Sequence, residues 1–391
     1  MVGRGGVSRF LFVVPPFAGH VHPTIGVASE LTARGHGVAW AGDTDALGGL
    51  LPGWARVYGC APAPIHPRPP GLRGFGALRY LWEQVLVPVT ESMVSGVEEA
   101  VEREKPDVLV VDQQAFAGGL VADRMGLPWV TSATTSAELT DPLAGFPQVR
   151  DWVAGQLHML RKRFGTERGT EDVRFSPYLV LAFTTAALAG ADAAGNSVRF
   201  VGPVTRERRG DVDFPWPRID GMHPLVYITL GTVNDATGQR FLTECASALR
   251  DRPWASAVIA DPAGALEDVP ENVVVRSHVP QLELLDHVDV VLCHAGHNTV
   301  CEALSRGLPL VVAPIRDDQP VIADQVERSG AGTRLRFGHA RASHIGAAID
   351  TALTDPSYRY AAGEIAMSFL AAGGERAAAD RLEGVLHAQP T

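Results

Sequence analysis

Short apolar runs alternate with stretches of helical periodicity from one end of the chain to the other, the pattern of parallel strands covered by helices. An α/β protein is predicted. In the first half the runs RFLFVV, GVAWAG, DVLVVD, PWVTSA and YLVLAF read as strands, each followed by a turn or a helix. Pro23 to Arg34, closed by Gly35, and Leu78 to Glu104, closed by Pro106, read as helices. The second half restarts the pattern with LVYITLG, ASAVIA, NVVVRSHV, DVVLCHAG and PLVVAPI, separated by helices such as Gln239 to Leu249 and Asn298 to Arg306.

Between the halves lies GPVTRERRGDVDFPWPRIDGMHP, rich in proline and charge and without periodicity, as an exposed linker would be. The expected division is therefore residues 1–204 as one Rossmann-like domain, 205–221 as linker and 222–391 as a second such domain. The Ala-rich helical end, from about Ala340, is able to pack back on the N-terminal domain. Two doubly wound domains would leave a central cleft where the carboxyl ends of both sheets face each other, the usual place for a ligand in such folds.

Composition narrows the function. At 391 residues the chain exceeds the usual size of a single core, which agrees with two domains. A net charge of -10 argues against a general nucleic-acid or anionic-membrane surface, both of which need a basic face. Any anionic ligand must then be held by local geometry. Four cysteines make no disulfide framework and suit a reduced cytoplasmic setting. The run FLFVVPPF is broken by two prolines and is shorter than a signal-peptide core, and no apolar stretch approaches the roughly 20 residues of a membrane span. A soluble cytoplasmic protein, monomer or homodimer, is expected.

The strongest local signal is DVVLCHAGHNTVCEAL. A buried strand ends at Cys293, His294-Ala295-Gly296 turns, and a helix starts at about His297 to Thr299, so free backbone N–H groups and the helix dipole favour an anion there. Gly296 allows close backbone approach, and Asn298 and Thr299 add donors. The turn LGTVNDATG puts Gly231 and Thr232 in the same relation to their strand, and two such turns suit a diphosphate. A strand followed by a Gly-containing helix start also occurs in many α/β proteins without any ligand. Cys293, His294, His297 and Cys301 are all zinc-ligand types, but a common tetrahedral centre would require a distorted backbone. The missing G-x-G-x-x-G after the first strand counts against a dinucleotide-dependent dehydrogenase.

The run VPQLELLDHVDVVLCHAGHNTVCEALSRGLPLVVAPIRDDQPVIADQVERSGAG, Val279 to Gly332, closely resembles the nucleotide-sugar signature of family-1 glycosyltransferases, the superfamily of UDP-glycosyltransferases and bacterial antibiotic or macrolide glycosyltransferases. It also resembles bacterial carotenoid glucosyltransferases. GHVHP with LTARGH, and the LGT turn, match the same family in the same order. The resemblance implies the glycosyltransferase B fold, two Rossmann-like domains with the donor in the C-terminal one and the acceptor in the N-terminal one.

Carried over by position, the resemblance puts His294 on the donor diphosphate with Gly296, Asn298 and Thr299 beside it, and Gly231 and Thr232 on the second phosphate-facing turn. Glu302 matches the acid that binds ribose hydroxyls, and Asp318 and Gln319 the pair that binds hydroxyls of the transferred sugar. His278, Val279 and Gln281 fall in the nucleobase and ribose segment. This chain departs from many relatives in having His278 for a base-stacking Trp, Thr232 for Ser and His22 for Asn, which leaves UDP and dTDP both open.

An acceptor hydroxyl needs a base near neutral pH, and imidazole suits that task. His20 matches the family's catalytic histidine. Gly19 is expected to permit a bend before it, and Pro23 to pre-set the first helical turn. Asp112, at the end of DVLVVD, matches the orienting aspartate; it would also serve as a helix N-cap. For His22 a structural role is favoured. The implied reaction is one direct displacement that inverts the anomeric centre, without a metal or other cofactor. DVD at Asp211 to Asp213 lies in the linker and reads as solvated charge.

Leu78, Leu81, Trp82, Val85, Leu86 and Val89 form an apolar stripe at helical spacing, with Phe116 just after Asp112. Such a stripe is ordinarily core, yet Trp82, Leu86 and Phe116 are also acceptor-site candidates. The expected acceptor is a lipophilic small molecule of polyketide or macrolide type, with a carotenoid or other lipid alcohol as the alternative. Loops around Pro62 to Phe75 and Ala137 to Asp151 would shape specificity. A sugar-nucleotide epimerase or hydrolase, or a non-catalytic sugar-nucleotide sensor, is the competing reading of the same fold.

Overall fold

The structure is a computed structural model, and the residues it describes are 6–69, 71–72, 74–193, 195, 197–205, 213–219, 221, 224–231 and 236–386. Thr232 and, of the expected linker, residues 206–212 and 220 lie outside the described residues. The chain divides into two compact units: Met1–Phe183 with Asp192–Arg206 and Ala372–Thr391, and Thr184–Ala191 with Glu207–Ala371.

The first unit is built on β1 (Arg9–Val13), β2 (Gly37–Asp43), β3 (Val57–Cys60), β4 (Val108–Asp112), β5 (Trp129–Ala133), β6 (Val180–Ala182) and β7 (Val198–Phe200). They pair in the order β3-β2-β1-β4-β5-β6-β7, every pairing parallel. The two central strands read as unbroken apolar runs because both of their faces are covered. Phe10, Phe12, Val108 and Val110 pack into one layer with Val21, Val27 and Leu31, whereas Leu11, Val13, Leu109 and Val111 pack into the other with Met93, Val97 and Val101.

The helix after β1 spans Ala18–Ala33, so it starts five residues before the expected Pro23. His20 N–H already bonds to the Phe17 carbonyl at 2.9 Å. Pro23 falls in the second turn, where its missing N–H faces the residue four back, Gly19; Gly19 itself is helical rather than a bend. The expected helix from Leu78 is a longer composite: Gly74–Leu81 is α-helical, Trp82–Leu86 is a π turn, and Val87–Glu104 is α-helical again. Pro88 explains the interruption. It has no N–H and its ring crowds the carbonyl four residues back, and widening the helix just before it, with Val87 N–H on the Trp82 carbonyl, keeps the rod continuous.

The C-terminal helix Gly374–Val385 belongs to the first unit. Ala378, Ala379 and Leu382 enter the layer that holds Val21, Val27 and Leu31, and Arg34 binds Glu30, Asp380 and Glu383 at 2.9, 2.6 and 2.8 Å.

The second unit repeats the plan with β8 (Leu225–Thr229), β9 (Ser256–Ala260), β10 (Val273–Arg276), β11 (Val290–Cys293), β12 (Leu310–Val312) and β13 (Gly332–Arg334). Their order is β10-β9-β8-β11-β12-β13, again with every pairing parallel. Both sheets therefore reverse strand order once, between β1 and β4 and between β8 and β11, the position at which doubly wound sheets open a crevice for ligands. Among the described residues no helix is long and apolar enough to cross a membrane.

Candidate active site

At the reversal point of the first sheet, the helix that follows β1 carries His20 and the last residue of β4 is Asp112. His20 Nδ1 lies 2.9 Å from Asp112 Oδ1. The carboxylate is fully buried, while the imidazole side chain keeps 17% of its surface open. Asp112 Oδ1 also accepts from Gln114 N–H at 2.8 Å, so it does hold the local turn after β4. It is not the cap of the next helix, Phe116–Met125, whose N-cap position is Ala115. Phe17 meets the His20 ring edge-on at 5.7 Å. Half-buried His22 sits on the same helix, two residues further on.

Thr134, just past β5, is a member of this group that sequence reasoning missed. Its Oγ1 donates to Asp112 Oδ2 at 2.8 Å and lies 2.9 Å from His20 Nδ1. Strand pairing explains its arrival, since Asp112 lies opposite Ser132 and side chains two residues apart share a face. Nothing in the sequence marks this threonine among its neighbours Thr131, Thr135 and Ser136.

At the reversal point of the second sheet, His294 follows β11 directly. The ring is clamped between two glycines: a Cβ on Gly231 would stand 2.7 Å from His294 Cε1, and a Cβ on Gly296 would stand 2.5 Å from Nε2. Both positions need glycine for the room it leaves, a role the sequence reading did not assign. Gly231 also has φ +63, and Ala295, between His294 and Gly296, is a non-glycine residue at φ 65. A left-handed alanine costs about 1 kcal/mol, and such local strain concentrates at functional turns. The turn delivers the chain to the helix His297–Leu304, capped by Gly296, with buried Thr299 and half-buried Asn298 in its first turn.

Burial lowers the His294 pKa to about 4, with the Arg316 charge acting in the same direction and the Thr229 backbone against it. His294 is therefore neutral at pH 7, and among the described residues its buried Nδ1 meets no partner at hydrogen-bond geometry. A neutral imidazole offers an anion an N–H dipole rather than a charge. Because the unfolded residue binds a proton near its ordinary 6.5 and the folded one does not, the stability tied to His294 is whole above that value and is lost as pH falls towards 4. Denaturant titrations at pH 7.5 and 5 are expected to show a larger loss for the parent than for His294→Asn; equal losses would contradict the buried neutral imidazole.

Of the other donor-site candidates, Gln281 and Glu302 are bonded to each other. Gln281 Nε2 donates to Glu302 Oε2 at 2.6 Å, and Tyr227 donates to Gln281 Oε1 at 3.0 Å, so Gln281 braces the buried acid. Val279 is half-buried, and exposed His278 has Nδ1 3.3 Å from Ser277 Oγ. Gln319 Oε1 accepts from the N–H groups of Ile315 and Arg316 at 2.9 and 3.0 Å, tying down the loop after β12. That engagement leaves its NH2 as the end suited to a ligand oxygen. Asp318 is the N-cap residue of Gln319–Arg328 and follows Asp317, which is held at φ 55.

Burial pushes the Cys293 thiol up to about 12 and raises that of Cys301 too, which makes both poor thiolates. Among the described residues no group of three or more His, Cys, Asp or Glu is arranged to hold a metal ion.

Trp82, Leu86 and Phe116 are brought together, but as core. They are 4%, 1% and 1% exposed and pack with Leu120, Val153, Leu157 and Leu160. Trp82 stacks on Phe116 at 5.4 Å and meets Trp152 edge-on at 6.4 Å. As they stand, the three side chains back a wall rather than line one.

Residues 215–368 match the family described as UDP-glucoronosyl and UDP-glucosyl transferase. Over 406 residues the chain is 28% identical to the uncharacterized UDP-glucosyltransferase YojK of Bacillus subtilis (strain 168), covering 96% of this chain and 97% of that one. It is 29% identical over 410 residues to the demethyllactenocin mycarosyltransferase of Streptomyces fradiae, covering 98% and 88%. Among solved structures it resembles the spinosyn rhamnosyltransferase SpnG complexed with spinosyn aglycone, with a TM-score of 0.76 at 25% identity over 96% of this chain and 100% of that one. Two parallel Rossmann-like sheets, the family match over residues 215–368 and these near full-length likenesses together identify the chain as a glycosyltransferase B-fold enzyme that uses nucleotide sugars, similar to the family-1 UDP-glycosyltransferases and among them to the bacterial antibiotic and macrolide glycosyltransferases.

Proposed function

We propose that the enzyme moves a hexose or deoxyhexose from a UDP- or dTDP-sugar to a hydroxyl of a lipophilic natural-product aglycone, with inversion at the anomeric carbon. The observation that carries this reading is the His20–Asp112 pair, a base and its buried carboxylate at 2.9 Å at a sheet reversal point. His20 takes the acceptor's proton, the freed oxygen attacks the anomeric carbon, and the bond from that carbon to the diphosphate breaks with its electron pair leaving on the diphosphate. Asp112 steadies the imidazolium that results. The His294 N–H, the Gly231 turn with Thr232 and the first turn at Asn298 and Thr299 suit the departing diphosphate, whose negative charge the helix dipole favours.

Glu302, braced by Gln281, suits the ribose, Val279 and His278 the base, and Asp318 and Gln319 the sugar. Trp82, Leu86 and Phe116 act on the acceptor from behind, by fixing the wall it meets. A natural-product aglycone as acceptor is supported by the likeness to the demethyllactenocin mycarosyltransferase and to the spinosyn enzyme complexed with its aglycone.

Incubating the protein with UDP-glucose and dTDP-sugars against a panel of aglycones is expected to give an adduct one sugar heavier by mass spectrometry. Nucleotide release at the same rate with and without aglycone, and no adduct, would instead fit a hydrolase.

A further inference from the structure

We infer that Thr134 is a positioning residue for the transfer reaction, completing a three-membered group that fixes which nitrogen of His20 carries the proton. The inference rests on the reading of His20 as the base. Thr134 is 4% exposed and has one hydroxyl hydrogen, which it gives to Asp112 Oδ2 at 2.8 Å. Its oxygen is then an acceptor towards His20 Nδ1 at 2.9 Å. The other neighbour of Nδ1, Asp112 Oδ1 at 2.9 Å, is also an acceptor.

Two acceptors on one ring nitrogen require that nitrogen to be N–H. The lone pair is then on Nε2, the nitrogen that must take the acceptor's proton. Asp112 alone would favour the same tautomer. Thr134 adds two constraints that the carboxylate does not supply. By binding Oδ2 while Gln114 N–H binds Oδ1, it prevents the carboxylate from rotating, and by sharing the Nδ1–H it stops the ring from swinging about Cβ. A base aimed in one direction keeps its reacting atom near the attack geometry, where a displacement of about 1 Å costs on the order of a hundredfold in rate.

Thr134→Val keeps the shape and removes both hydrogen bonds; Thr134→Ser keeps the hydroxyl and serves as the rescue. With 15N-labelled histidine and His20→Gln to assign the signals, the parent and the serine variant are expected to show the Nδ1–H tautomer of His20 near neutral pH. The valine variant should show averaged nitrogen shifts. In turnover with the donor and aglycone pair found by the adduct screen, the valine variant should lose about tenfold or more in kcat, with both KM values within about twofold.

A purely structural threonine would lower the unfolding midpoint without moving the nitrogen shifts. If the valine variant does not fold, Thr134→Ala against Thr134→Ser makes the same comparison. Parent-like nitrogen shifts and kcat in the valine or alanine variant would overturn the proposal. Failure of the base reading shows separately, as undiminished turnover in His20→Ala, and leaves the nitrogen spectrum to decide the hydrogen-bond role of Thr134.

Discussion

His20→Ala is expected to lower turnover by about two to four orders of magnitude while donor affinity stays within about twofold of the parent. The split follows from where the residue sits. His20 belongs to the first unit and is bonded to Asp112 and Thr134, whereas the turns of His294 and Gly231, proposed for the diphosphate, belong to the second. Asp112→Asn should be the milder companion. It keeps the shape but offers an amide where the imidazole needs an acceptor, so kcat falls without loss of nucleotide binding. Isothermal titration with UDP and dTDP, beside initial rates with the donor in excess, separates the two quantities. A His20→Ala enzyme with unchanged turnover would remove the base assignment, and one that no longer binds nucleotide would show that His20 serves the donor instead.

Gly296→Ala is expected to weaken donor binding by about tenfold or more without a change in backbone conformation. Gly296 has φ -65 and ψ 132, values any residue adopts, so alanine introduces no backbone strain. What it introduces is a methyl group 2.5 Å from Nε2 and 2.8 Å from Cε1 of His294. The ring must leave its slot, and overpacking of this kind costs about 1–3 kcal/mol. Gly231→Ala should be worse, since it crowds the same ring and adds a left-handed alanine. The decisive comparison is the double variant Gly296→Ala with His294→Ala. With the ring gone the added methyl has nothing to strike, so the two losses of affinity should not sum. Additive losses would mean that Gly296 serves the donor through its own backbone and not through His294.

The strands that flank both reversal points were legible in the sequence because central parallel strands are covered on both faces and announce themselves as unbroken apolar runs. Three of the four edges were not. Val57–Cys60, Val198–Phe200 and Gly332–Arg334 are the short outer strands β3, β7 and β13; β3 and β13 each include a glycine, and β7 has no fully buried position. The helix after β1 was placed late because Pro23 was taken as its first residue, whereas a proline in the second turn over Gly19 is tolerated. Of the candidate site, Asp112 and His294 could be found because they end or directly follow apolar runs, and His20 because it lies in the family-like motif GHVHP. Thr134 could not, since its importance lies in a register between two strands. The glycine clamp on His294 was hidden for a related reason: Gly231 and Gly296 lie 65 positions apart and meet only through one ring.

The most direct test of base-driven single displacement is the anomeric configuration of the product. With a donor of known α configuration and any aglycone that gives an adduct, the proton coupling at the anomeric carbon reads the outcome in one NMR spectrum. One attack assisted by His20 predicts the β-glycoside. An α-glycoside from the same donor would contradict the account, whatever the rates of the variants.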